Sequence, residues 1–417
     1  MSGLTWFSLL ILLAITYYLV RKMKSADRGL FIAGLTVKCL AGIALGLTYM
    51  YYYDGKGDTL QYWNESSVIA ARMTSPAQAL DILWSELPDS TLMSFGVQGV
   101  PRSFFFSKVA AIISWITGGN YWMMAIVFSF ISFLTAWKLF LQLQTYRIPA
   151  AVALFFFPSV VFWSSGLIKE SLGLASIYVL VSLFLTWYRR GHVVWYNYIL
   201  GVVAVWVGWN LKYYWLGILA PVLIATVSVV YIKRLRPSWK SFELGLAGVL
   251  LATFLVISTG LHPNFYPERI AAVIVESNAA FVSLSESAGV IHFDNLQPHA
   301  GSLLWNAPWA LFSCLFRPWI GEARQVVSML AAVENTVLLV LLLLACRSIR
   351  SAWQSPDRLL TGAVITYTIL LAVFLALSSP NLGTLSRYKV GFLPFLVMLL
   401  LEASPEVRRW LGRLIPD

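Results

Sequence analysis

The sequence predicts an all-α protein, a polytopic membrane helical bundle that forms one integral membrane domain over residues 1–417. Three observations predict this class. Hydrophobic residues make up 59% of the chain and charged residues only 12%, and the mean hydropathy is +0.74. Apolar runs of about 18 residues or more, long enough to cross a bilayer core as a helix, recur along the chain. Basic residues occur in short clusters between these runs.

The apolar runs predict about eleven transmembrane helices. They cover residues 4–20, 29–53, 121–143, 149–166, 171–188, 193–210, 214–232, 242–260, 327–346, 359–379 and 389–403. In the first run the basic residues follow the apolar stretch, and no small-residue cleavage site appears, so we expect a retained helix and not a signal peptide.

Six groups of basic residues predict the orientation of the bundle. They are Arg21, Lys22, Lys24 and Arg28; Lys138 and Arg147; Arg189 and Arg190; Lys233, Arg234, Arg236 and Lys240; Arg347, Arg350 and Arg358; and Arg408, Arg409 and Arg413. With eleven crossings all six fall on one side, which the positive-inside rule makes the cytoplasm. We therefore expect a multi-pass protein of the bacterial cytoplasmic (inner) membrane, with the N-terminus outside and the C-terminus cytoplasmic. Since topology accounts for the net charge of +11, no nucleic-acid partner is expected.

Two long connections, 54–120 and 261–326, are predicted on the extracytoplasmic face. Both contain stretches with helical apolar spacing that are too short to span a membrane, which predicts amphipathic interfacial or re-entrant helices. Phe104, Phe105, Phe106 and Lys108 leave two interpretations open: a helix lying on the lipid surface, or a buried loop helix. Because most remaining carboxylates lie in these connections, we expect the chemistry on this face.

Asp54 and Asp58 open the first connection, and glycines at 55 and 57 allow a sharp turn beside them. A carboxylate at a membrane boundary can act as a general base toward a sugar hydroxyl, or the pair could bind a divalent cation such as Mg²⁺ or Mn²⁺. Tyr62 lies one helical turn beyond Asp58 as a supporting residue. The alternative is a solvated turn or helix cap, which Asp and Gly also favour.

Lys169 and Glu170 form an adjacent charged pair where two apolar runs meet. Charges in such a setting are costly unless they face a polar cavity. We expect Lys169 to hold an anionic phosphate, with Glu170 tuning or orienting it. The alternative for Lys169 is a side chain that extends to the interface at a hairpin tip.

Arg387 and Lys389 precede the last apolar run on the predicted outer side, against the positive-inside bias. Lys212 lies at another outer helix end. A phosphate or pyrophosphate leaving group would suit these residues, since the planar guanidinium of Arg binds such oxyanions bidentately. The alternative for each is an interfacial anchor.

Arg317 and Arg324 would add positive charge to the same outer face, and Glu334 lies within an apolar run. A carboxylate there should face the bundle interior, either near the site or as a structural hydrogen-bond partner. The histidines and cysteines lack metal-ligand spacing, and no glycine-rich nucleotide loop is present.

The acidic pair after an early helix, the amphipathic first outer loop and the basic residues near the last helices resemble polytopic glycosyltransferases of the GT-C class. The arrangement is also similar to exopolysaccharide polymerases of the Wzy and EpsG type. The resemblance implies transfer of a sugar from a polyprenyl-phosphate or polyprenyl-pyrophosphate donor to a glycan or lipid-linked acceptor, within membrane lipid. It implies that Asp54 or Asp58 is the base and that Lys169, Arg387 and Lys389 hold the lipid phosphate. The helix at 4–20 departs from the GT-C pattern.

The leading hypothesis is therefore a membrane glycosyltransferase or polysaccharide polymerase that acts on the outer face. Two alternatives stay open at this point. One is a transporter or flippase of lipid-linked glycans, which would bind the phosphate in the same basic cavity without cleaving it. The other is a non-enzymatic subunit of an envelope-assembly complex.

Overall fold

The structure is a computed structural model, and it describes residues 3–235, 242–285, 289–348 and 357–414. Within these ranges the chain is helical, with no β-strand beyond one isolated bridge between Val290 and Asn381. The all-α class predicted from the sequence is confirmed.

The helices before residue 170 are α1 (Gly3–Lys22), α2 (Ser25–Leu47), α3 (Asp58–Arg72), α4 (Pro76–Trp84), α5 (Ser90–Ser94), α6 (Pro101–Thr117), α7 (Tyr121–Phe140), α8 (Arg147–Ala151) and α9 (Pro158–Trp163). The later helices are α10 (Lys169–Arg190), α11 (Trp195–Leu235), α12 (Glu243–Ser258), α13 (Ile270–Leu284), α14 (Ala300–Phe316), α15 (Val326–Cys346), α16 (Arg358–Ser378), α17 (Leu382–Tyr388), α18 (Leu393–Glu402) and α19 (Pro405–Leu414). A π-helical turn, Thr48–Tyr52, extends α2.

Among the described residues, seven helices are long and apolar enough to cross a membrane, namely α1, extended α2, α7, α10, α11, α15 and α16. An eighth crossing results if α17 and α18, which meet at a bend of 70°, form one span. The predicted count of about eleven is therefore not confirmed. The run at 149–166 is divided into α8, a π-helical turn and α9, and the run at 242–260 forms the 16-residue α12.

The 41-residue helix α11 is bent at Lys212, whose backbone is not helical (φ −144°, ψ 57°). Near its start, Asn197 accepts a hydrogen bond of 2.7 Å from Lys138 at the end of α7. Near its end, the Arg234 guanidinium lies 5.5 Å from the ring centroid of Trp187, in the last turn of α10. Lys212 itself contacts the first turn of α10. That turn lies about 30 Å from the last turn of this 22-residue helix. The chain thus reverses at Lys212, and the two arms correspond to the predicted runs 193–210 and 214–232.

One end of the bundle, here called the basic end, gathers the basic groups. Arg147 pairs with Asp27 at 2.7 Å, and Arg189 donates to the carbonyl of Gln142. Further along the chain, Lys233 and Arg358 both pair with Glu243, and Arg408 pairs with Glu402 at 2.5 Å. Arg236, Lys240 and Arg350 lie outside the described residues. The opposite end, where α3 and α10 begin, is called the site end.

Helix α6 packs against α3 at the site end, and the face that carries its phenylalanines is buried by protein. Phe104 and Phe106 are fully buried and Phe105 is 7% exposed, and the rings of Phe106 and Tyr62 make an edge contact at 4.8 Å between centroids. Lys108 donates to the carbonyls of Leu83 (3.0 Å) and Ser85 (2.7 Å). Burial lowers the pKa of Lys108, although nearby Glu86 opposes this. Of the two interpretations of this segment, the structure matches the buried loop helix.

Candidate functional site

A chain of alternating charges links four separate elements at the site end. The Asp58 carboxylate accepts a hydrogen bond of 2.6 Å from Arg387, whose Nε lies 3.3 Å from Oε1 of Glu170. The same oxygen of Glu170 accepts a bond of 2.6 Å from Lys212. These residues belong to α3, α17, α10 and the bend of α11. Glu170 is fully buried, so its charge depends on the two cations that contact it.

The turn before α3 explains the position of Asp58. Asp54, Gly55 and Gly57 all have positive φ angles, and at Gly57 (φ 120°) an added Cβ would lie 2.6 Å from the ring of Tyr49. Only glycine fits there, so the chain passes closely over Tyr49 and starts α3 at Asp58. A carboxylate in the first turn of a helix is also favoured by the helix dipole.

A second tight turn, over residues 164–168, positions Lys169 and Glu170. Gly166 has φ 74°, and an added Cβ would lie 3.1 Å from the carbonyl oxygen of Gly42 on α2. The Gly166 N–H donates to Ser129 at 2.9 Å, and the buried ammonium of Lys38 donates to Ser164. Two transmembrane helices therefore hold the turn from which the fully buried Glu170 projects.

Tyr388 lies between two of the cations in this chain. The ammonium of Lys212 is 3.8 Å from its ring centroid and the guanidinium of Arg387 is 5.2 Å away, both within cation–π range. The hydroxyl of Tyr49 accepts a longer bond, 3.4 Å, from Arg387. Sequence reasoning missed both tyrosines because aromatic residues beside basic ones at helix ends are also typical of interfacial anchors.

Lys169 differs from the other cations of the site because no described carboxylate pairs with it. Its ammonium donates to the hydroxyl of Ser103 at 3.2 Å and lies 5.3 Å from the ring centroid of Tyr62. Burial raises the pKa of Tyr62, and the carboxylates of Asp58 and Glu170 raise it further, so this phenol stays neutral. Neutral partners leave the charge of Lys169 available to an anion.

Arg102 is a further cation that the sequence did not point to. It is exposed in the first turn of α6, and its guanidinium lies 5.4 Å from the ring centroid of Tyr213. In the described part of the chain no acidic side chain pairs with it. Its neighbour Ser103, which contacts Lys169, shows that the start of α6 borders the site.

Other residues predicted for the site lie apart from this chain of charges. Asp54 is exposed and makes no hydrogen bond or ion pair with any described residue. Lys389 is buried and donates to Asn335, whose amide donates in turn to the Pro318 carbonyl at 3.0 Å. Glu334 is buried and accepts a hydrogen bond of 2.8 Å from the Ser159 backbone. This contact matches the alternative role predicted for Glu334, a structural hydrogen-bond partner.

The two arginines of the second connection also remain local. Arg317 makes a bidentate pair with Glu322, with bonds of 2.6 to 3.1 Å. Burial raises the pKa of Glu322, but hydrogen bonds from Arg317 and the Trp319 backbone outweigh this and hold it below its ordinary value. For Arg324, the structure records no contact with Asp58, Glu170 or their partners.

A polar cavity of about 320 Å³ opens at the turn before α3, and Glu65, not Asp58, is the carboxylate among its lining residues. Its walls include Gly55, Gly57, Gln61, Asn64 and Phe95. Amide side chains, an exposed aromatic ring and accessible backbone suit a hydroxyl-rich ligand. No cluster of three or more His, Cys, Asp or Glu side chains that could hold a metal ion occurs among the described residues. Divalent-cation binding by Asp54 and Asp58 stays a prediction.

Comparison with known proteins adds no identification, since no family model, curated protein or solved structure matches the chain.

Proposed function

We propose that this protein is a membrane glycosyltransferase or polysaccharide polymerase that uses a polyprenyl-phosphate-linked or polyprenyl-pyrophosphate-linked sugar. The observation that carries the proposal is the combination of Asp58, its partner Arg387 and the unpaired cation Lys169 at one membrane boundary. A carboxylate beside cations is the arrangement needed to activate an acceptor hydroxyl while a phosphate leaves. The polar cavity at the turn before α3, which Gly57 lines, supports an acceptor site for a glycan.

The distribution of charge supports an extracytoplasmic position for this site. Basic residues gather at the opposite end of the bundle, which the positive-inside rule assigns to the cytoplasm. Thr5, at the start of α1, donates to the Thr117 carbonyl at the end of α6, and this contact supports an extracytoplasmic N-terminus. The C-terminal helix α19 lies at the basic end. This arrangement fits the cytoplasmic membrane of a bacterium.

In the proposed reaction, Asp58 accepts the proton of the acceptor hydroxyl as the hydroxyl oxygen attacks the anomeric carbon. The new carbon–oxygen bond forms while the bond to the phosphate oxygen breaks, and the electron pair leaves with the phosphate. Lys169 and Arg387 stabilise the charge on that leaving group. Glu170 is fully buried and engaged by Lys212, so it orients the cations and does not act as a nucleophile. A single displacement with inversion follows.

Asp58 is preferred to Asp54 as the base because of its surroundings. Its side chain is 34% exposed, so it is both paired with Arg387 and accessible to a substrate. Asp54 is exposed on the preceding turn and forms no ion pair with a described residue.

A transporter or flippase of lipid-linked glycans is the second candidate, and one observation favours it. Helix α17 meets α18 at a bend of 70° beside the charged site. Broken helices at a membrane-embedded ion site are typical of transporters. The same cations would then bind the lipid phosphate without bond cleavage.

Reconstitution of the full chain in liposomes with a labelled polyprenyl-linked sugar separates these functions. Transfer of label to a glycan acceptor supports the enzyme. Movement of intact lipid between leaflets without transfer would replace it with a transporter, and neither activity would favour a non-enzymatic assembly subunit. The Asp58→Asn variant, compared with Asp54→Asn, shows whether any transfer observed depends on this site.

A further inference from the structure

A second cavity lies at the basic end, across the bundle from the site. Its volume is about 320 Å³, and it opens between α7, α10, the second arm of α11, α16 and α18. The inner wall is apolar, with contributions from Leu139, Val181, Phe184, Leu219 and Val364. This volume is near the lower limit of ligand pockets, about 300–1,000 Å³, so the cavity accommodates one hydrocarbon chain better than a whole lipid.

Charged and polar side chains surround the cavity where it meets the basic end. Arg189, Glu402 and Arg408 line it together with Tyr146 and Asp357, which are hydrogen-bonded to each other. The Arg408 side chain is 50% exposed, and its partner Glu402 is 27% exposed. The exposed guanidinium of Arg408 is therefore accessible to a phosphate.

Helix α19 extends this charged rim along the membrane surface. Pro405 and Arg408 contribute to the cavity wall, and the same helix carries Arg409, Arg413 and the exposed Trp410. A short helix with arginines on one side and apolar residues on the other lies in the headgroup region and attracts anionic lipids. An apolar cavity beneath such a helix is complementary to an amphiphile. The hydrocarbon chain would lie inside the cavity and the headgroup at its rim.

We propose that this cavity is a specific site for an anionic phospholipid. One acyl chain occupies the apolar interior, and the phosphate headgroup binds Arg189 and Arg408 at the rim. None of these residues takes part in the proposed transfer reaction, so the lipid site stands independently of the proposed function.

Native mass spectrometry of the detergent-purified full chain tests the proposal, with phosphatidylglycerol and phosphatidylcholine of identical acyl chains as probes. We expect preferential retention of phosphatidylglycerol. The arginine variants Arg189→Gln and Arg408→Gln should each weaken it about fivefold, because a basic residue near a headgroup contributes roughly 1 kcal/mol. Arg21→Gln, which removes an exposed basic-end arginine outside the cavity, is the matched control and should bind as the unchanged protein does.

The position of the acyl chain is tested by filling the cavity. Val364→Trp should reduce retention of both lipids, and Val364→Phe makes the same test with a smaller side chain where tryptophan prevents folding. Equal retention of the two lipids by the unchanged protein would overturn the proposal. So would undiminished phosphatidylglycerol binding in the folded Val364 variants, since binding would then involve only the surface of α19.

Discussion

The two long connections, 54–120 and 261–326, both carry charged residues. In the first the charge is paired with a distant part of the chain, and in the second with a neighbour in sequence. Asp58 in the first pairs with Arg387, which is 329 positions away in the sequence. In the second, Arg317 pairs with Glu322, five positions away. A pair between neighbours stabilises a loop wherever the loop lies. A pair between distant elements fixes their relative positions, and here it lies beside the unpaired cation Lys169. The comparison therefore points to the first connection as the one that builds the site.

The largest effect should come from Asp58→Asn, which keeps the size of the side chain but removes the base. We expect transfer to fall by about 10²–10⁴-fold, the usual contribution of general base catalysis. Transfer from a labelled lipid-linked sugar in liposomes measures it. Asp54→Asn is the matched control and should leave transfer nearly unchanged; a loss of transfer in that variant alone would make Asp54 the base.

Arg387→Gln should have the next largest effect, because it breaks the connection between Asp58 and Glu170. We expect transfer to fall by about 10²–10³-fold through loss of leaving-group stabilisation. The protein should also lose stability, since Asp58 then has no cationic partner and the buried Glu170 keeps only Lys212. Thermal unfolding in detergent, recorded beside transfer rates, separates the two losses. Unchanged unfolding and transfer would show that the charged chain is not formed.

Lys169→Met tests whether the unpaired cation binds phosphate. A charge-assisted hydrogen bond contributes roughly 1.5–3 kcal/mol, so kcat/KM for the lipid-linked donor should fall by about 10- to 100-fold. Stability should change little, because the partners of Lys169 are neutral. Steady-state kinetics at several donor concentrations measure the change, and an unaltered kcat/KM would remove Lys169 from the donor site.

Arg317→Gln should have the smallest effect and sharpens the contrast between the two connections. Transfer should stay at the level of the unchanged protein, while stability should fall, since the two side chains are only 12% and 23% exposed and Glu322 loses its partner. Because the pKa of Glu322 is lowered in the folded protein, the pair stabilises above the ordinary carboxyl pKa. That contribution is lost as pH falls through the lowered value. Thermal unfolding of both proteins at neutral and acidic pH checks this, and a large loss of transfer would place Arg317 in the site.

The sequence was sufficient to predict the helical class and the residues of the charged chain. Asp58, Lys169, Glu170, Lys212 and Arg387 were each expected at the same end, because charges next to apolar runs are rare and costly. Their pairing was not predictable, since it depends on how distant helices pack. Only the tertiary structure determines which carboxylate pairs with which cation in the series Asp58, Arg387, Glu170 and Lys212.

Two features that the sequence left open have simple geometric causes. Lys389 was grouped with Arg387, but residues two apart on a helical turn point in nearly opposite directions. Arg387 therefore faces Asp58 while Lys389 faces Asn335. The three phenylalanines of α6 cover more than half of the helix circumference, and an apolar pattern does not distinguish a lipid neighbour from a protein one.

The distance along the chain between Asp58 and Arg387 has a consequence for biosynthesis. Glu170 and Lys212 are made early and can pair as soon as α10 and the first arm of α11 are inserted. Asp58 is synthesised before either, but its partner leaves the ribosome only after most of the polypeptide has been translated. A nascent chain therefore carries the candidate base without the arginine that anchors it. Competence for the proposed reaction is acquired last, when α17 docks between helices that are already in the membrane.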